Sequence, residues 1–221
     1  MDVLADIKQE SAAVACEKWQ MRPRIDFPFD GTDIGTRLYQ VFASCSSTRV
    51  VFYKCVLKST LKSEGKLLII DCDHTVKFGQ LLANFSSEQL NDKVDFFGIY
   101  NYSSYCSLWE EMPRILFERP NVSTAVFSGI SNPYFYHQKR RQDKQITTMV
   151  NFASLQVEKI RKYLENYNIT AFLMYAQDTE ENSMLPPNVN GKINFLKTPS
   201  EVICKFKNSP NEPVIQINCL F

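Results

Sequence analysis

The amino-acid sequence predicts an α/β fold built on a mostly parallel central sheet, and three observations carry that prediction. Apolar runs of strand length alternate with helically spaced apolar residues three or four times along the chain. The 221 residues are 44% hydrophobic and 22% charged, the balance of a globular chain with one sizeable core. Two long polar connections, 131–148 and 177–191, each follow a strand, where open α/β sheets place their ligand loops. Residues 1–34 read as an N-terminal segment and linker, and 35–221 as one core domain.

The elements follow in order. Val3, Ile7, Ala12, Val14 and Ala15 give a loose helical pattern that Pro23 ends. Ile25, Phe27 and Phe29 alternate with polar or proline positions, as an edge strand or a strand docking on a partner would. Residues 38–42 form the first strand. Residues 50–57 suit helix or strand, because the run is short and β-branched. The run 67–70 closes on Asp71 and fits a strand buried on both faces. Phe78, Leu81, Leu82 and Phe85 share one helix face. A strand is expected at 96–100. Tyr105, Leu108, Met112, Ile115 and Leu116 return to helical spacing, with Pro120 beyond the end. Another strand covers 125–130. Met149, Phe152, Ile160, Leu164 and Tyr167 mark a long helix, and 169–175 a further strand. Segments 202–206 and 214–220 read as a terminal antiparallel hairpin turning through 208–213.

Composition excludes several function classes. Twenty-five Lys and Arg against 24 Asp and Glu leave a formal net charge of +1, so whole-molecule charge does not mark a nucleic-acid binder. No apolar run reaches the ~18 residues of a membrane span. Asp2, Asp6, Lys8 and Glu10 interrupt any signal-peptide core. The seven cysteines contain no C-x-x-C pair and are expected to be reduced and packed as small apolar residues. Only His74 and His137 could join them as soft ligands, too few for a structural zinc cluster. The expected compartment is cytoplasm or nucleus.

The loops carry the chemistry. Ser44, Cys45, Ser46, Ser47, Thr48 and Arg49 follow the first strand, where a phosphate-binding loop belongs. Such a loop needs glycines so that backbone N–H groups curl around phosphate, a lysine for the outer oxygens, and a hydroxyl for magnesium. This segment has no glycine and no lysine. Thr48 stands where the lysine would be and Arg49 where the hydroxyl would be. Asp71 and Asp73 close the second strand. Two carboxylates so spaced can approach one cation. They also match the D-x-D-x-T/V nucleophile motif of haloacid-dehalogenase-type phosphatases, with the first Asp attacking phosphorus and the second as general acid and base. Ser128 ends the fourth strand, where a P-loop nucleoside triphosphatase carries its metal-holding aspartate. Beyond it, Tyr134, Tyr136, Lys139, Arg140, Arg141 and Lys144 combine rings that stack bases with cations that track phosphates, suiting single-stranded nucleic acid or an acidic partner surface.

Taken together, these residues resemble the paralogues of the eukaryotic RecA-type strand-exchange recombinase, above all the short class of X-ray-repair cross-complementing type. The resemblance runs from about Gly35 to the C-terminus. It rests on the degenerate phosphate loop followed by Val51, Phe52 and Tyr53, and on Lys62 to Gly65 leading into the strand that ends at Asp71. The order and length of the segments reaching Ser128, and Gln177 after the fifth strand, complete it. In active members that glutamine senses the γ-phosphate. The resemblance implies a RecA-like three-layer core with a C-terminal antiparallel hairpin, a nuclear location, and a role in homologous-recombination repair. It implies pairing with a paralogue whose Walker A loop is intact and which holds ATP and magnesium, and contact with the recombinase filament and single-stranded DNA. Ser44, Ser47, Thr48, Arg49, Ser128 and Gln177 would outline a vestigial nucleotide pocket with no cofactor of its own. A magnesium-dependent phosphatase using Asp71 and Asp73 is the alternative from a different class.

Overall fold

The computed structural model describes residues 38–74, 85–130, 132, 146–175, 191–198, 202–207 and 215–219. The N-terminal segment 1–34, the strand at 25–29, most of the helix at 78–85, the aromatic–basic run from Tyr134 to Lys144, and Gln177 lie outside these residues.

Parallel strands cannot be joined by tight turns, so each strand passes into a crossover, here mostly helical. The order is β1 (Leu38–Ala43), α1 (Ser46–Lys62), β2 (Lys66–Asp71), α2 (Ser87–Lys93), β3 (Val94–Gly98), α3 (Tyr102–Glu118), β4 (Val122–Ser128), α4 (Ile146–Tyr167), β5 (Thr170–Tyr175), β6 (Gly191–Lys197), β7 (Val202–Lys207) and β8 (Ile215–Cys219). The eight strands form one sheet in the order β3-β2-β4-β5-β1-β6-β7-β8. Five pairings are parallel, and β7 runs antiparallel to both β6 and β8. The fold is therefore α/β with a mostly parallel sheet and an antiparallel C-terminal end, as the sequence predicts.

Side-chain alternation divides the sheet into two apolar faces. Leu38 and Phe42 join Leu68, Ile70, Ala125, Phe127, Ala171 and Leu173 under α3 and α4. Tyr39, Val41 and Ala43 join Leu67, Ile69, Val126, Phe172, Ile193 and Phe195 under α1. Phe52 of α1 centres the second face. Its ring lies 5.5 Å from Phe172 and 5.7 Å from Phe195, both edge-on. Truncating such a buried aromatic costs roughly 3–5 kcal/mol.

The ambiguous run 50–57 is helical. Val51, Phe52, Val56 and Leu57 fall on one buried stripe of α1, so tertiary burial overrides its β-branched character. The strand expected at 96–100 starts two residues earlier and ends at Gly98. The chain then leaves the ladder, with the Ile99 N–H still donating to Asp71 O at 2.9 Å. The strand expected at 125–130 is likewise shifted to Val122–Ser128, because Gly129 at φ +61 turns the chain out of the sheet. Two elements, α2 and β6, have no clear pattern in the sequence. α2 offers only one deeply buried apolar residue, Leu90. β6 carries a period-two signal in Ile193 and Phe195 that the polar residues around it obscure. The terminal hairpin is thus the outer part of a three-stranded antiparallel end.

α3 contains Pro113, which has no N–H to give to the carbonyl of Trp109. The Tyr163 hydroxyl on α4 donates to that carbonyl at 3.3 Å. One turn on, Tyr167 donates to Pro113 O at 3.2 Å. The two tyrosines thus join α4 to α3 around Pro113, where the helix lacks one of its own hydrogen bonds. No helix among the described residues is long and apolar enough to cross a membrane.

Candidate functional site

The carboxyl ends of β1, β2, β4 and β5 gather the residues singled out in the sequence. β5 lies between β1 and β4, so the segment from Ser44 to Arg49 and Ser128 stand one strand apart. Gln177 follows β5 but lies outside the described residues, as do Tyr134, Tyr136, Lys139, Arg140, Arg141 and Lys144.

β1 ends at Ala43 and α1 begins at Ser46, leaving Ser44 and Cys45 as the whole connection. Ser47, Thr48 and Arg49, expected in a loop, are therefore in the first turn of α1. The Thr48 hydroxyl accepts from the Cys45 N–H at 3.2 Å and donates to Cys45 O at 2.8 Å. The Cys45 sulfur lies 3.1 Å from Ser47 Oγ and 3.5 Å from Thr48 Oγ1, and the N–H groups of Ser47 and Thr48 face it. Cys45 thus caps the helix, closing a capping box in which sulfur replaces the usual oxygen. Arg49 Nε donates back to Ala43 O at 3.2 Å, fastening helix to strand. Burial alone would raise the Cys45 thiol. The contacts of the sulfur with the hydroxyls, Ser47 first, and then with the N–H groups of Thr48 and Ser47 outweigh it, and the thiol is pushed down to about 7.

Across the sheet, Asp71 is 2% exposed and its Oδ1 accepts the Asp73 N–H at 3.3 Å. Ser128 is fully buried and donates to Asp73 Oδ1 at 2.8 Å. The backbone is stitched alongside, with the Cys72 N–H on Ser128 O at 2.9 Å and the Gly129 N–H on Met174 O at 3.3 Å. Gly129 is required there twice over. Its φ is +61, and a Cβ would meet Asp73 Cβ at 2.5 Å. Burial first, then the charges of Asp71 and Asp73, push the Cys72 thiol well up. Tyr53, reaching down from α1, feels both aspartates as well. Burial and those two charges raise its phenol, with the Ser128 hydroxyl and the Arg49 guanidinium opposing. Tyr53 lies within electrostatic reach of both aspartates and of Arg49. Its helical position beside Phe52 marks it in the sequence only as core.

His74, at φ +55, stacks on Tyr100 with ring centres 4.6 Å apart, beside Asp73 and at the end of β3. At the opposite, amino-terminal edge of the sheet a polar cleft of about 360 Å³ is lined by Lys66, Asp95, Glu118, Arg119, Pro120 and Asn121. It shares no residue with the first site.

The structure therefore brings Ser47, Thr48, Arg49, Asp71, Asp73 and Ser128 to one end of the sheet, with Ser44 exposed at its rim. The residues present do not fit magnesium and a triphosphate. The first N–H groups of α1 face a sulfur, the connection is too short to curl around phosphate, and the Ser128 hydroxyl is committed to Asp73. No family model and no curated protein matches the chain.

Proposed function

We propose that this protein is a non-catalytic subunit of a recombinase-paralogue complex in homologous-recombination repair, a RecA-like core that has lost its nucleotide chemistry. One observation carries the reading: the N-terminus of α1, where a phosphate cradle would open, is closed by the chain's own Cys45, Thr48 and Arg49. A site filled by its own side chains has been replaced as a catalyst while the surrounding scaffold is intact. The parallel core, with β5 between the degenerate loop and Ser128, supports the resemblance.

In this reading ATP and magnesium belong to a partner paralogue with an intact Walker A loop. This chain docks beside it in the nucleus and stabilises or remodels the recombinase filament on single-stranded DNA. The vestigial pocket serves as shape, and the stretch from Tyr134 to Lys144 as a contact for DNA or partner. The phosphatase alternative asks Asp71 to attack phosphorus. A side chain 2% exposed, with its Oδ1 already accepting the Asp73 N–H, weighs against that role.

The test is affinity purification of the native full-length chain, followed by identification of what accompanies it. Recovery of a recombinase paralogue with a G-x-x-x-x-G-K-[ST] loop is expected. A chain recovered alone, turning over a generic phosphate ester with magnesium and losing that turnover in Asp71→Asn, would overturn the proposal.

A further inference from the structure

The cleft of about 360 Å³ at the amino-terminal edge of the sheet lies away from the aspartate pair and the Cys45 cap. Three pieces of chain converge on it: Lys66 at the start of β2, Asp95 near the start of β3, and the turn from Glu118 to Asn121 that leads from α3 into β4. The Lys66 N–H donates to Asn121 O at 2.7 Å and the Val122 N–H to Arg119 O at 3.1 Å, so backbone hydrogen bonds hold two of its walls together. Pro120 is the one apolar residue of the lining. The others are two cations, Lys66 and Arg119, two carboxylates, Asp95 and Glu118, and the Asn121 amide.

These four charges do not simply cancel in pairs. Arg119 is fixed from three sides. Its Nε lies 3.4 Å from Asp95 Oδ2, its Nη1 donates to Ile115 O at 3.4 Å, and its guanidinium stands 5.7 Å from the centre of the Phe97 ring. Its Nη2 makes no contact among the described residues. Lys66 is half-buried, and its ammonium has no ion pair among the described residues. Glu118 is held loosely, 4.0 Å from Arg114 Nε and 3.8 Å from Arg119 Nη1, both longer than a hydrogen bond. It also stands in the last turn of α3, where the carbonyl end of a helix disfavours a carboxylate and attracts a cation. The cleft thus keeps an unpaired ammonium and an under-paired carboxylate backed by a helix C-terminus.

We infer that this cleft binds a small zwitterion of the free α-amino-acid class, with its carboxylate on Lys66, Arg119 Nη2 and the Asn121 amide, and its ammonium on Glu118 at the end of α3. A simple anion entering here would face Asp95 and Glu118, and a simple cation would face Lys66 and Arg119. A molecule that carries both charges meets neither repulsion. A carboxylate set between an ammonium and a guanidinium receives charge-assisted hydrogen bonds. The guanidinium is already in place, so binding has little ordering left to do there. A lining with one proline as its apolar residue gives a large apolar side chain nothing to pack against, which selects amino acids with short or polar side chains. The site shares no residue with the vestigial pocket and does not rest on the recombination proposal.

The experiment is saturation-transfer NMR on the purified full chain with each proteinogenic L-amino acid at millimolar concentration, followed by titration of the best binder. At least one amino acid with a short or polar side chain should bind and raise the melting midpoint. Its N-acetyl derivative, which lacks the ammonium, and its α-carboxamide, which lacks the carboxylate, should each bind about tenfold more weakly, the loss of one charge-assisted contact. Lys66→Met keeps the apolar stem and Glu118→Gln keeps the shape. Each should weaken binding by a similar factor while the melting midpoint without ligand stays close to that of the parent chain. The two derivatives probe the parent chain itself, so the inference is decided even where a variant unfolds. Absence of binding by every amino acid overturns it. So does an acetylated or amidated form that binds as tightly as the amino acid, which would make the cleft a site for a plain anion or a plain cation. Affinity unchanged in both folded variants places the ligand elsewhere and overturns it equally.

Discussion

Replacing Ser128 by aspartate restores the residue type that a metal-binding member of the resembled family would carry, and the geometry says it will harm the fold. Ser128 is fully buried and its hydroxyl lies 2.8 Å from Asp73 Oδ1. Ser128→Ala removes a hydrogen bond to a charged acceptor and should cost about 1.5 kcal/mol, since the half-buried Asp73 can recruit water. Ser128→Asp loses the same bond and adds a like charge. Two carboxylates at about 4 Å repel by about 4 kcal/mol at an effective dielectric of 20, and solvent at Asp73 screens part of it. A total penalty of about 3 kcal/mol at neutral pH follows. The sign of its pH dependence is fixed. One carboxyl of the pair has its folded pKa raised, so the penalty is smallest below the unfolded value of about 3.9 and grows as pH rises through the raised folded value. Urea unfolding of both variants across that range reads the effect. Ser128→Asp as stable as Ser128→Ala at neutral pH, or a penalty independent of pH, would refute the reasoning.

Three further outcomes are expected. Alkylation of Cys45 by iodoacetamide should follow a thiolate midpoint of about 7, and Ser47→Ala with Thr48→Val should move it up toward about 8.5. Because this folded pKa is depressed, the thiolate's contribution to stability is present above the unfolded value and lost as pH falls through about 7. An unmoved midpoint would show that the cap hydrogen bonds are not the cause. Gly129→Ala should destabilise by about 2 kcal/mol or more in thermal or urea unfolding, from left-handed backbone strain plus the contact with Asp73; a neutral result would contradict the turn geometry. Tyr163→Phe should cost about 1 kcal/mol, because Trp109 O has no helical donor at Pro113; a cost equal to zero would mean water serves as well.

The fold was largely legible because burial on both sheet faces writes continuous apolar runs, as at Leu67 to Ile70, and because α3 and α4 have clear apolar stripes. Boundaries slipped where the chain leaves the ladder for reasons outside its own pattern. The end of β3 at Gly98 is set by pairing with β2, and the end of β4 by the turn at Gly129. α2 was silent because one buried leucine cannot make a period. At the candidate site, residue types announced what was missing from the phosphate loop. They did not announce what fills it. A cysteine as helix cap is uncommon in a motif read through serine, threonine and aspartate. The bond from Ser128 to Asp73 spans 55 residues and two strands, a separation that no local pattern encodes. Tyr53 has the same difficulty, since its environment comes from β2 and β4 while its spacing says only helix interior.

Isothermal titration of the purified full-length chain with magnesium–ATP puts the question most plainly. If the first turn of α1 is closed by Cys45, Thr48 and Arg49, no saturable heat appears, and ATP at millimolar concentration leaves the melting midpoint where it was. A one-to-one isotherm that disappears on changing Thr48 or Ser128 would mean that the cradle opens to phosphate after all, and the docking account would fall with it.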